Sequence, residues 1–298
     1  MQNLHCAQII DGKAVAQALL ERVQRQVQVW SAQQLPAPGL TVVRVGDDPA
    51  SGVYVAKKAK TAEQLGIRSS ICHLPATVSQ RALFETLDAL NADTAVNAVL
   101  LQLPIARHLD TYASIARLTP EKDVDGFHPE NLGLLMAGLE PTAPPCTPAG
   151  IMALLAHCGV PLAGANAVVI GRSMIVGKPV ALMLLNQSAT VSVCHSQTRD
   201  LAKITQQADV LISAVGVPGL ITGEMIKPGA VVIDVGINRI TEGERAGKLT
   251  GDVAFDSALS VCGQITPVPG GVGPMTIAML MRNTARLYAR QNGLSCDL

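Results

Sequence analysis

AVVIGRSMIVGKP, residues 167–179, decides how the rest of the chain is read. Ala167, Val168, Val169 and Ile170 form a short apolar run, most of it β-branched, which predicts a buried strand. Gly171 ends the run and opens a tight turn. Ser173 and Gly177 follow, then Lys178 and Pro179, then the helical pattern VALMLLN. Strand, glycine turn and helix start together form the unit that holds a dinucleotide pyrophosphate. Small residues let the backbone approach phosphate, and the first free N–H groups of the helix point at the anion. The dinucleotide fingerprint is G-x-G-x-x-G; here the pattern is G-x-S-x-x-x-G. Taken by itself, the stretch fits a ligand-free strand–turn–helix equally well.

The next strand candidate, residues 190–195 (TVSVCH), reaches the place where an NAD site carries Asp or Glu for the ribose hydroxyls. It runs instead into His195, Ser196, Gln197, Thr198 and Arg199, with Arg172 in the first turn. Hydroxyls and a guanidinium suit a ribose 2′-phosphate, which a carboxylate would repel. NADP is therefore expected over NAD. Read singly, Ser196 and Arg199 are also ordinary residues of a solvated loop.

The chain has 298 residues, the size of two ordinary domains. It is 48% hydrophobic but only 2% aromatic, so its cores must be aliphatic. Lys+Arg and Asp+Glu balance at 23 each, which argues against a dominant nucleic-acid role. No secretory signal is evident in MQNLHCAQII, and no apolar run reaches membrane-spanning length. The seven cysteines form no C-x-x-C pair. An odd, scattered set reads as reduced thiols of a cytoplasmic protein. The six histidines show no metal-ligand spacing, so no metal is expected.

The first half alternates strands and helices, an order that predicts an α/β fold with a parallel sheet. Residues 9–12 read as a short extended piece and a turn, and residues 13–30 as an amphipathic helix. Strands are expected at 40–45, 67–74 and 98–103, helices at 51–65 and 79–91. Tyr54 and Lys58, four apart, share one helix face, while Lys57 points elsewhere. Such a pair can handle protons where burial favours the neutral amine; a solvated surface lysine is the plainer reading. Gln102 interrupts an apolar strand, either orienting a lysine or satisfying nearby backbone. In TPEKDVDGFH, residues 119–128, the two aspartates either bind a polar heterocycle or close a loop. Residues 141–148 hold four prolines and read as a stiff crossing between domains, with a helix from 149.

In the second half a helix is expected at 199–207 and strands at 210–215 and 230–235. Each of these strands runs into a glycine, Gly216 or Gly236. Glycine turns at one edge are where an open α/β sheet binds ligand. Ile237 sits there, suited either to pack on nicotinamide or to fill core. Residues 240–248 read as a polar hairpin or surface loop. TPVPGGVGPMT, residues 266–276, packs three glycines and three prolines into eleven residues. Such a stiff, side-chain-poor loop lets a flat ligand lie against backbone. Pro274 is expected to start the last helix.

Four stretches in order, YVAKK, LLQLPI followed by PEKDVDGFHPEN, VIGRSMIVGKP, and TPVPGGVGPMT, resemble the 5,10-methylenetetrahydrofolate dehydrogenase / 5,10-methenyltetrahydrofolate cyclohydrolase family. The resemblance runs nearly end to end. It implies two α/β domains with a cleft between them. Residues 1–148 would form a catalytic, folate-binding domain and residues 149–273 a Rossmann-like NADP domain, with the helix at 274–298 packing back on the first. It implies a folate substrate whose methylene bridge gives hydride to NADP, then hydrolysis of the methenyl form to 10-formyltetrahydrofolate, in one-carbon metabolism and purine biosynthesis. Lys58 matches the catalytic lysine, with Tyr54 beside it and Gln102 as its partner. Asp125 matches the acid that holds the pterin. Leu101, Leu103, Pro269, Gly270, Gly271, Val272 and Gly273 match the substrate pocket. Gly171, Arg172, Ser173, Ser196 and Ile237 match cofactor contacts. Family members are commonly homodimers. The competing readings are another NADP-linked dehydrogenase of shikimate type, which would lack the PGGVGP and KDVDG segments, and a nucleotide sensor without turnover.

Overall fold

The computed structural model describes residues 7–240 and 247–298. Cys6 and the interior of the expected loop at 240–248 lie outside the described residues. In chain order the first half contains β1 (Gln8–Ile9), α1 (Gly12–Ala32), β2 (Gly39–Val45), α2 (Pro49–Gln64), β3 (Arg68–Leu74), α3 (Gln80–Ala92), β4 (Ala98–Leu101), α4 (Thr111–Ile115) and α5 (Pro129–Met136). The second half contains α6 (Cys146–His157), β5 (Asn166–Ile170), α7 (Gly177–Asn186), β6 (Thr190–Cys194), α8 (Leu201–Thr205), β7 (Val210–Ser213), β8 (Val231–Asp234), β9 (Asn238–Arg239), β10 (Leu249–Thr250), α9 (Phe255–Ala258), β11 (Gln264–Ile265) and α10 (Val272–Gln291). The chain divides into two compact units.

One unit comprises Gln17–Cys146 and Ile277–Leu298. Its sheet runs β3-β2-β4, all parallel. Central β2 is almost wholly buried, as expected for a strand paired on both sides. Val23, Val27 and Trp30 of α1 recur at helical spacing and are buried, and Trp30 packs on Tyr288 of α10 with ring centroids 5.0 Å apart. The Ser79 hydroxyl accepts from the Ala82 N–H and caps α3, which buries Leu83 and Leu87. The last helix is tied to this unit: Asn283 Nδ2 donates to the Val124 and Pro144 carbonyls at 2.9 and 2.8 Å. Gln291 Nε2 donates to the Asn97 and Glu121 carbonyls, both at 2.8 Å.

The other unit comprises the described residues up to Ala16 and Thr147–Thr276. Its sheet runs β1-β11-β8-β7-β5-β6, parallel throughout, around an aliphatic core that includes Val168, Ile170, Leu211, Val232 and Ile265. Strand β1 belongs here because its backbone pairs with β11, Gln8 with Gln264 and Ile9 with Ile265. β9 and β10 pair antiparallel, flanking the segment read as a hairpin or loop.

Several element ends move from their expected places. β4 stops at Leu101, so Gln102 follows the strand rather than interrupting it. β7 and β8 end at Ser213 and Asp234, and two residues on the Val215 and Gly236 N–H groups turn to the side chains of Asp252 and Asp234. α8 is confined to Leu201–Thr205, because Asp200 at φ +50° breaks the helical geometry before it. α6 starts at Cys146 and takes in the end of the proline-rich crossing. α10 starts at Val272, two residues before Pro274; a proline in the first turn has no N–H that the helix needs. No helix among the described residues is long and apolar enough to cross a membrane.

Candidate active site

α2 and the loop after β4 position the first group. Lys58 is only 7% exposed, whereas neighbouring Lys57 is exposed, so helical phase selects which amine turns inward. Lys58 Nζ donates to Gln102 Oε1 at 3.0 Å. Gln102 Nε2 donates to the Leu103 carbonyl at 2.8 Å, which fixes the amide's orientation, and its backbone N–H bonds to Val43 O at the end of β2. Leu101 is buried and Leu103 half-buried on either side. Tyr54, one helical turn before Lys58, is half-buried, and burial raises its phenol above the usual range.

The two aspartates of KDVDG stand in different surroundings. Asp123 is buried and closes the loop: its Oδ2 accepts from the His128 N–H at 2.7 Å and from Asn131 Nδ2 at 3.1 Å. Burial pushes its carboxyl up to about 6 against these donors. Asp125 lies within the field of Lys58. Desolvation raises its carboxyl, while Lys58 and a hydrogen bond from the Cys146 thiol pull it down. Cys146 is itself buried, its thiol pushed well up, and touches Asn283 Nδ2 at 3.5 Å. Neither Cys146 nor Asn283 was marked by sequence spacing; each meets this site only through contacts more than twenty residues away in the chain. Lys58, Gln102, Asp125 and Cys146 thus form one polar cluster with Tyr54 on the same helix face.

The second group lies in the other unit. Gly171 has φ +118°, and a Cβ there would meet Ala214 O at 2.4 Å. A Cβ on Gly177 would meet Gly171 O at 2.1 Å, so the turn after β5 closes tightly on the start of α7. Ser173 Oγ accepts from the Val176 and Gly177 N–H groups at 3.2 and 3.3 Å, doing within the loop what a middle glycine would leave to a ligand. Arg172, Ser173 and Ser196 are exposed beside the carboxyl ends of β5 and β6. The turn presenting Ser196 is braced by His195 N–H to Thr198 Oγ1 at 2.8 Å. The first acid past β6, Asp200, pairs with Lys203 at 2.9 Å. These residues fit a phosphate-bearing nucleotide: a turn opened by a positive-φ glycine, a helix start, hydroxyls and a guanidinium. Ile237, 47% exposed, lies past the carboxyl end of β8. Pro269, Gly270 and Gly271 form the expected loop, and Val272 and Gly273 open α10 instead. A Cβ on Gly271 would meet Thr266 Cβ at 2.6 Å, so the loop folds onto itself.

Residues 145–292 match the description "Tetrahydrofolate dehydrogenase/cyclohydrolase, NAD(P)-binding domain", and residues 10–125 match the catalytic domain of the same name. The chain belongs to the tetrahydrofolate dehydrogenase/cyclohydrolase family. A relative from Bordetella petrii, "Bifunctional protein FolD", is 53% identical over 96% of this chain and 96% of its own. The FolD crystal structure from Campylobacter jejuni is 44% identical with a TM-score of 0.92, covering 96% of this chain and 99% of that one. The Trypanosoma brucei FolD structure, complexed with NADP cofactor and inhibitor, is 40% identical with a TM-score of 0.92 over the same shares. The family assignment sets aside the shikimate-type alternative, and the two-domain α/β fold with its returning C-terminal helix is the family's.

Proposed function

We propose that this chain carries out both family reactions: NADP-dependent oxidation of 5,10-methylenetetrahydrofolate to the 5,10-methenyl form, then hydrolysis to 10-formyltetrahydrofolate. The observation that carries the reading is the buried Lys58 amine held by Gln102 beside Asp125. Bound NADP supplies the hydride acceptor for the first step. That step needs no acid or base on the carbon, only donor and acceptor held in register. Hydrolysis does need proton handling, because water attacking the methenyl carbon must lose a proton. Lys58 takes that proton or orders the water. Gln102 fixes the amine, and Tyr54 bounds the same face. Asp125 holds the pterin, with Leu101 and Leu103 as its apolar neighbours in the cluster. Pro269, Gly270, Gly271, Val272 and Gly273 present backbone to a flat ligand.

Arg172, Ser173 and Ser196 support NADP over NAD, and tighter binding of NAD than NADP would contradict that preference. A homodimer is supported by β3, a seven-residue strand at the edge of its sheet with Ile71 50% exposed; light scattering that finds a monomer rejects it. Cys72, Cys146, Cys158, Cys194 and Cys296 are free, which supports a reducing compartment such as the cytoplasm. The deciding experiment is Lys58→Met, assayed by NADPH absorbance on adding methylenetetrahydrofolate and then by methenyl decay. Cyclohydrolase turnover should fall by at least about 100-fold, the usual worth of a positioned acid–base group. Turnover near wild type would remove Lys58 from the mechanism.

A further inference from the structure

Asp252 is fully buried, two residues past the end of β10, and the proposed function gives it no part. Its carboxylate accepts five hydrogen bonds from protein donors. Oδ2 accepts from Ser213 Oγ at 3.2 Å and from the Val215 and Gly216 N–H groups at 2.8 and 3.2 Å. Oδ1 accepts from the Val217 N–H and from Asn238 Nδ2, both at 3.0 Å. One carboxylate thereby fastens the loop after β7 and Asn238, the first residue of β9, beyond the carboxyl ends of two paired parallel strands.

Three successive amides of a glycine-bearing turn, Val215 to Val217, ordinarily make a nest for an external anion. Here the nest is filled from inside the protein. Its outer face is left with side chains, and those are apolar: Val217 is 46% exposed and Ile237 is 47% exposed. Such a surface suits a flat ring and not a phosphate. The arrangement is built down to the backbone. Asp234 holds Asp252 in turn, accepting from the Asp252 N–H at 2.9 Å and the Val253 N–H at 2.9 Å. A Cβ on Gly236 would meet Asp252 Oδ1 at 2.2 Å, and one on Gly251 would meet Asp234 Oδ2 at 1.8 Å. Both glycines leave room for a carboxylate.

We propose that Asp252 is a positioning residue for the nicotinamide half of the cofactor, its carboxylate filling the 215–217 nest and setting Val217 and Ile237 outward as an apolar platform for the ring. This rests on the NADP assignment above. The adenosine half, by contrast, is assigned to Gly171, Arg172, Ser173 and Ser196, on loops that Asp252 does not touch.

The test is calorimetric titration of the full chain with NADP and with 2′,5′-ADP, which lacks the nicotinamide. Asp252→Asn should weaken NADP by about tenfold, the scale of a hydrogen bond lost to a charged group. Its affinity for 2′,5′-ADP should stay within about twofold, as expected for a distant site. Val217→Ser and Ile237→Ser, on the surface, should show the same split with the fold intact. If Asp252→Asn does not fold, these two and Gly236→Ala, which displaces the carboxylate, decide the matter. Equal loss of both ligands, or no loss of either in folded variants, overturns the proposal. Wild-type protein that binds neither ligand overturns instead the cofactor assignment beneath it.

Discussion

Lys57 and Lys58 are adjacent, chemically identical, and held in opposite surroundings by one-hundred-degree steps around α2. Only Lys58 meets an acceptor within the fold, and that acceptor, Gln102, is itself pinned through its Nε2. An amine so buried depends on its partner, because an unpaired buried donor costs far more than the bond contributes. Gln102→Leu should therefore lower cyclohydrolase turnover by roughly 100-fold, with a smaller effect on hydride transfer, which asks only for positioning. The measurement is methenyl decay against NADPH formation on the same preparation; equal losses in both would reduce Gln102 to general packing. Lys57→Met is the companion control and should leave both rates within about twofold, as for exposed substitutions generally. From spacing alone Lys58 read more plainly as a solvated lysine; the family resemblance singled it out, and the four-residue step from Tyr54 only separated it from Lys57. Cys146 and Asn283 were illegible, since their contact with the Asp125 loop joins segments with no shared periodicity. Spacing left the roles of Asp123 and Asp125 open and the resemblance alone singled out Asp125; that Asp123 is the one held by His128 and Asn131 comes from the fold.

The strand–turn–helix from β5 to α7 shows what sequence does carry at the scale of elements. A β-branched run, a glycine with positive φ and a helical pattern all agree on one unit, so its place and type were readable. The ends were not. β7 and β8 finish just before N–H groups turn to the carboxylates of Asp252 and Asp234, α8 starts late behind left-handed Asp200, and β4 ends one residue before Gln102. β1 is two residues long and finds its partner 256 residues away, a pairing for which no local pattern exists. Within α7 the first glycine is tested by addition of one methyl. Gly177→Ala puts a Cβ 2.1 Å from Gly171 O, so the backbone must shift. Thermal unfolding should show a loss of roughly 1–3 kcal/mol, and NADP should bind more weakly because the turn opens. Gly133, in the interior of α5, has open space where a Cβ would go. Gly133→Ala should stabilise the protein by roughly 0.5–1 kcal/mol through helix propensity alone. The two glycines thus predict opposite signs from the same substitution, and matching signs in a melting experiment would contradict the packing account.

Each unit of the molecule keeps one strongly shifted carboxyl in its interior, Asp123 in one and Asp234 in the other. Burial pushes both up to about 6, in each case against hydrogen bonds that favour the charged form. A carboxyl that titrates higher in the folded than in the unfolded chain holds its proton longer when folded. Its contribution to stability is then full below about pH 4 and is lost as pH rises through 6. These two groups therefore act against the more familiar acid lability of paired surface carboxylates such as Asp209, whose ionised form Lys227 stabilises. Asp123→Asn isolates one of them. Its Oδ1 can still accept from the His128 N–H, while the titration disappears. Between pH 4 and pH 7 the variant's stability relative to wild type should rise by roughly 2.5 kcal/mol, most of the free-energy equivalent of the displacement from 3.8 to about 6. Denaturant unfolding at both ends of that range measures the difference. The absolute stability at either pH is not the test, since the amide also loses a bond from the Gly126 N–H. A difference that stays flat with pH would mean that Asp123 ionises in the fold as it does in water, and that its His128 and Asn131 donors outweigh its burial.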